Sequence, residues 1–202
     1  MSDAAKLQQS LGAELASRLG PEYRYFKSKL QLRAVVSDGE HVLALSGSNK
    51  YSPHIEVSFY FGKSFAEARQ IERELGIYSF PYHIQQYSPN FAHRGRGDYH
   101  GPCTWSFNLH DPPKSLCEEL VAAVHGLALP WFKQFGDMRT ARDAIANNNR
   151  DVFGGPMFWA QVLRLDLALG ETQHFIDWSE QLDPLSQSQA KEILSRFQAG
   201  RG

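Results

Sequence analysis

The stretch HRGRGDYHGPC, residues 93–103, gathers two histidines, two arginines, an aspartate, a tyrosine, a cysteine and three glycines. Side chains of these types cradle phosphates, ligate metals and hold protein partners, so each chemistry has to be tested against the spacing. A phosphate cradle needs G-x-G-x-x-G, or a glycine-rich loop closing on Gly-Lys-Ser/Thr, and Gly95 to Gly101 follow neither pattern. His93, Asp98, His100 and Cys103 offer metal-ligand atoms. They repeat no known ligand spacing, and Arg94 and Arg96 would repel a cation, so no metal is expected. Capture of a protein partner fits better, because arginine and tyrosine are favoured where interfaces concentrate their binding energy. The candidate partner-binding residues are therefore His93, Arg94, Arg96, Asp98, Tyr99 and His100. An ordinary solvated loop, with glycines relieving its backbone, is the plainer alternative.

Nucleophilic chemistry would need Cys103 beside a histidine such as His100 or His125. Cys103 alternates with Trp105 and Phe107, which predicts an inward, structural thiol, and Cys117 on a helical stripe reads the same way. His125, at the end of that stripe, suits a helix C-terminus. No G-x-S-x-G elbow or H-E-x-x-H motif occurs, and the adjacent Glu118 and Glu119 diverge by about 100° on a helix. No catalytic residue and no cofactor is expected. An enzyme or small-ligand site assembled from His83, His93, Asp98, His100 and Cys103 is the alternative.

The 202 residues are 42% hydrophobic and 12% aromatic, enough for a folded core. Lys and Arg number 21 against 22 Asp and Glu, a net charge of -1, which supplies no field to attract a nucleic acid or an anionic membrane. Asp3, Lys6, Glu14 and Arg18 interrupt the N-terminus where an export signal would be apolar. No run of about 18 apolar residues exists, and two cysteines make no disulfide framework. These features predict a cytoplasmic protein that binds neither nucleic acid nor membrane.

The elements that must position the candidate loop follow from periodicity. Leu7, Leu11 and Leu15 predict a helix over 3–19, stopped by Gly20-Pro21. Tyr23 to Val36 alternates as strands do, and Asp38-Gly39 marks a hairpin before His41, Leu43 and Leu45 resume the alternation. In HIEVSFYF, Ile55, Val57, Phe59 and Phe61 share one face, leaving Glu56, Ser58 and Tyr60 on a wet one. Ser64 and Glu67 read as a capping box for a helix on Phe65, Ala68, Ile71 and Leu75, ended by Gly76. CTWSFNL predicts a further strand. Asp111-Pro112-Pro113 predicts a helix start, with a stripe of Leu116, Leu120, Val124 and Leu127 stopping before Pro130. Met138 to Ile145, Pro156 to Leu169, Thr172 to Leu182 and a helix capped by Asp183-Pro184 complete the chain. The fold class predicted is α+β, a mainly antiparallel sheet covered by helices with an all-helical C-terminal part. One domain is expected over 1–202, with a sheet-plus-helix core at 1–150, a helical subdomain at 151–202 and a hinge between Asn147 and Gly155.

The phrases ELVAAVHGLALPWFKQFGDMRTARDAI and FWAQVLRLDLALGE resemble those of uncharacterised bacterial domain families in which a long helix runs into a Pro-Trp-Phe phrase and the closing helices carry Leu-Ala-Leu-Gly. The likeness spans most of the chain. It implies a small cytoplasmic protein of the immunity type, one that neutralises a bacterial toxin by protein-protein contact. It transfers no functional residue to this sequence.

Overall fold

In a computed structural model of the chain, residues 3–51, 53–77, 82–92, 99–152 and 158–200 are described. Six strands form one sheet: β1 (Tyr23–Phe26), β2 (Gln31–Val36), β3 (Gly39–Tyr51), β4 (His54–Phe65), β5 (Ile84–Tyr87) and β6 (Trp105–Asn108). The first five lie in sequence order, and β6 also pairs with β4. Strands β1 and β2, β2 and β3, and β4 and β6 pair antiparallel, so the α+β expectation holds. The helices are α1 (Asp3–Leu19), α2 (Ala66–Leu75), α3 (Ser88–Ala92), α4 (Leu116–Ala123), α5 (Leu129–Phe135), α6 (Met138–Ala146), α7 (Phe158–Leu169), α8 (Thr172–Ser179) and α9 (Pro184–Ala199). No helix among the described residues is long and apolar enough to cross a membrane.

The chain divides into two compact units, 1–63 with 86–134 and 64–85 with 135–202. In the first, the sheet buries one face. Pairing sets Tyr25 beside Leu32 and Leu32 beside Leu43, and sets Ile55 and Val57 beside Phe107 and Trp105. All but the half-buried Tyr25 are buried. Burying one leucine or phenylalanine contributes ~1.5–3 kcal/mol, so this face dominates the stability of the sheet. Helix α1 packs on β1, β2 and β3. Phe61 meets Trp131 and Phe132 edge-on, with ring centroids 5.2 and 6.2 Å away. In the second unit α7 packs against α2, α6, α8 and α9. Neighbours on so many sides explain why a helix apolar almost all round is stable there.

Local rules gave way where longer-range structure overrode them. Strand β4 runs on through Ser64 to Phe65, so the expected capping box does not form; α2 has no side-chain N-cap, and Ser64 Oγ accepts a hydrogen bond from Arg69 instead. Ser58, expected on a wet face, is buried, its hydroxyl 2.7 Å from that of Tyr87. The hairpin forms, but Val36 pairs with Gly39, which leaves Ser37 and Asp38 as the turn. Helix α4 begins at Leu116, later than Asp111-Pro112-Pro113 suggested. It does not stop at Pro130. A π-helical turn, Val124–Ala128, closes with the Leu129 N–H on the Val124 carbonyl, and a new α-segment starts in which Pro130 holds the second position. Proline is tolerated in a first turn because no internal amide is needed there. His125 is consequently mid-helix and exposed, not at a C-terminus. Strand β6 is shorter than CTWSFNL, leaving Cys103 half-buried outside it, and α8 stops at Ser179. Leu185, expected on the apolar stripe of α9, is 68% exposed.

Candidate protein-binding surface

The outward face of the sheet is built by the strand period of two. Leu32 and Ala34 point inward, so Gln31, Arg33 and Val35 lie on the other face, where Val35 is exposed, Arg33 half-buried and Gln31 buried, as is Val42 on β3. Register sets Arg24, Arg33 and Val42 abreast, and Phe26, Gln31 and Ala44 abreast. On β4, Tyr60 is outward by the same logic, since Phe61 and His41 both pack against Phe132 on the opposite side. Phe26 is 42% exposed, Val35 77% and Tyr60 38%. These apolar groups are held in place by polar neighbours. The Arg33 guanidinium lies 5.3 Å from the Phe26 ring centre, donates Nη1 to Glu40 at 3.2 Å and Nη2 to Gln31 at 2.9 Å. Tyr60 stacks on Tyr87 with centroids 4.5 Å apart, and Tyr87 is pinned by Ser58. Cation–π contact and stacking leave the platform ordered before anything binds, which lowers the entropic cost of association.

Of the loop residues singled out above, His93, Arg94, Arg96 and Asp98 lie outside the described residues. Tyr99 is half-buried and tied down: its hydroxyl donates to the Pro102 carbonyl at 2.7 Å, and burial pushes its phenol up to about 12. Its ring lies on Gly126 of the π-helical turn, where a Cβ would come within 2.6 Å of it, so glycine is required at that crossing. His100 is exposed. Cys103 stays a free thiol whose carbonyl accepts from Ser88 at 3.1 Å, and burial pushes the Cys117 thiol up to about 11.

Sequence reasoning missed two ion clusters in the second unit. Glu72, fully buried, meets Arg69 at 2.8 Å, Arg164 at 3.2 Å and the buried His83 at 3.5 Å. His83 Nδ1 accepts the Phe65 amide, which fixes the ring proton on Nε2, and burial holds its pKa down, so the imidazole is neutral. Its place deep in the unit turns it away from any external ligand. The second cluster centres on Asp166, fully buried, which pairs with Arg142 and accepts from or shares a proton with His174 Nδ1 at 2.8 Å. Burial pushes the Asp166 carboxyl up against the opposing pull of His174 and Arg142. Arg142 also reaches Glu171 at 2.8 Å, and Arg139 pairs with that same carboxylate. The signal available in the sequence was Arg164 and Asp166 within the otherwise apolar run of α7, since charges there must find partners. Among the described residues, no group of three or more His, Cys, Asp or Glu side chains is placed to hold a metal ion. Comparison with protein-family models, curated proteins and solved structures finds no match.

Proposed function

We propose that this chain is a binding protein of the immunity type, which neutralises a protein partner by covering part of its surface with the open face of the sheet. The observation that carries this reading is the set of large apolar side chains exposed on the sheet: Phe26 on β1, Val35 on β2 and Tyr60 on β4. Apolar and aromatic groups amid ordered polar neighbours have the make-up of an interface centre with its rim.

Capture of a stoichiometric partner from native lysate by the tagged full chain, followed by affinity measurement with the purified partner, tests it. Val35→Asp combined with Tyr60→Ala should weaken binding by about tenfold or more, roughly 1.4 kcal/mol, while circular dichroism stays unchanged. Wild-type affinity in that variant would refute the assignment of the sheet face.

One observation favours a second reading. A buried carboxylate holding His174 by Nδ1, with the imidazole 37% exposed, is an arrangement that general-base sites use. Under that reading His174→Ala abolishes an activity; under the first it leaves partner affinity untouched.

A further inference from the structure

We propose that the β1–β2 hairpin docks an acidic segment of the protein partner, with Phe26 as apolar anchor and Arg24, Lys27, Lys29 and Arg33 as the cations around it. This rests on the reading that the outward sheet face is the binding surface, and it names the chemistry of what binds there.

Charge segregation is the first argument. Residues 23–37 contain four basic residues and no acidic one, although the whole chain has 21 basic against 22 acidic. The rest of the chain therefore carries 17 basic against 22 acidic, so the hairpin is a basic run, bordered by Glu22 and Asp38, on a chain with an acidic balance elsewhere. Arg24, Lys27 and Lys29 are exposed. Among the described residues none of these three has an ion-pair partner, whereas Arg33 is held by Glu40. Unpaired cations beside an exposed ring offer electrostatic complementarity to carboxylates, which steers encounter and fixes register.

The backbone gives the second argument. The turn joining β1 to β2 is closed by the Lys29 N–H on the Phe26 carbonyl at 3.0 Å, and the Leu30 carbonyl accepts from Leu45 at 3.2 Å, tying the turn to β3. Leu30 itself sits at φ 51, a left-handed conformation that a branched apolar residue adopts at a cost. Strain of this kind persists where the surroundings impose it and concentrates at recognition sites. Here it fixes the short segment that displays both lysines. The hairpin also lies at the end of the strand order, with β1 bonded to β2 alone in that sequence.

An acidic protein segment fits this patch better than a nucleic acid. Phosphate backbones gain affinity from many neutralised charges along a tract, and the acidic balance of the remaining chain opposes that. One face of the Phe26 ring, which a base would need for stacking, is already covered by Arg33.

Fluorescence anisotropy with the full chain tests the proposal, using a labelled peptide that alternates glutamate with leucine, a labelled oligothymidine and phosphatidylserine vesicles as probes. The peptide should bind, more weakly as salt rises, and the double variant Lys27→Glu, Lys29→Glu should bind it at least about tenfold less well with an unchanged circular dichroism spectrum. No peptide binding, equal peptide affinity in the variant, or preference for the oligothymidine or the vesicles would each overturn it. The two readings fail separately. A natural partner that binds the lysine variant at wild-type affinity but is lost on Val35→Asp with Tyr60→Ala removes the hairpin assignment and leaves the sheet-face reading standing.

Discussion

His41 shows how a single side chain couples packing to pH. Its ring stacks on Phe132 with centroids 4.0 Å apart and planes 2° from parallel. Burial, helped by the Lys63 ammonium and opposed by Asp38, lowers its pKa from 6.5 to about 4. The unfolded chain therefore binds this proton more readily than the folded one. The stability due to neutral His41 is full above the unfolded pKa near 6.5 and is lost as pH falls toward 4. For a half-buried group the loss should be about 1–3 kcal/mol over that window. His41→Phe keeps the stack and removes the titration, so urea midpoints at neutral and acid pH should differ less in the variant than in the wild type. Identical pH slopes would contradict this account. His83 is depressed by burial too and titrates in the same direction, so comparing the two proteins isolates His41.

At the scale of elements, helix ends were the most legible features wherever a local rule was sufficient. Gly76 follows α2 at φ 60, its N–H bonded to the Arg73 carbonyl at 3.2 Å while the Ile77 N–H reaches the Glu72 carbonyl at 3.1 Å. This double closure needs a left-handed residue. Nothing lies within 4 Å of where a Cβ would stand at Gly76, so Gly76→Ala meets no clash and costs backbone strain alone. Thermal unfolding should register about 1 kcal/mol, a lowering of the midpoint by roughly 2–4 °C. An unchanged midpoint would show that the helix end relaxes. Asp183 caps α9 as its sequence suggested, accepting from the Leu185 and Ser186 amides with Pro184 at the first position. Ser64 and Pro130 misled because their fates depend on neighbours: β4 claims Ser64 for a strand, and the π-helical turn rephases the helix so that Pro130 begins a segment instead of ending one.

At the scale of the molecule, the second unit is assembled from segments far apart in sequence, 64–85 and 135–202. The apolar stripe of α2, Ala68, Ile71 and Leu75, is buried within a unit where α7 and α9 are its packing partners. Ending the chain after Gln134 removes both helices. The shortened protein should then bind a hydrophobic dye strongly and be cleaved by protease within 64–85, because α2 alone is too short to persist in water. A protease-resistant, dye-silent product would show that α2 is held without them.

The sequence by itself determined the α+β class, the span of α1, the inward rows of β2 and β4, the C-terminal end of α2 and the start of α9. Each of these follows from a repeat of two or near four, or from a glycine, aspartate or proline whose conformational preference acts within a few residues. The tertiary structure alone decided three things. It converted HIQQY into strand β5, because a four-residue strand is stabilised by its neighbour and not by its own pattern. It brought Arg164 and Asp166 to Glu72 and Arg142, since charges on a buried helix declare a need for partners without naming them. It also set Arg33 over Phe26 and Tyr60 on Tyr87, because alternation assigns each residue a side of its own strand, while cross-strand register decides which residues stand together.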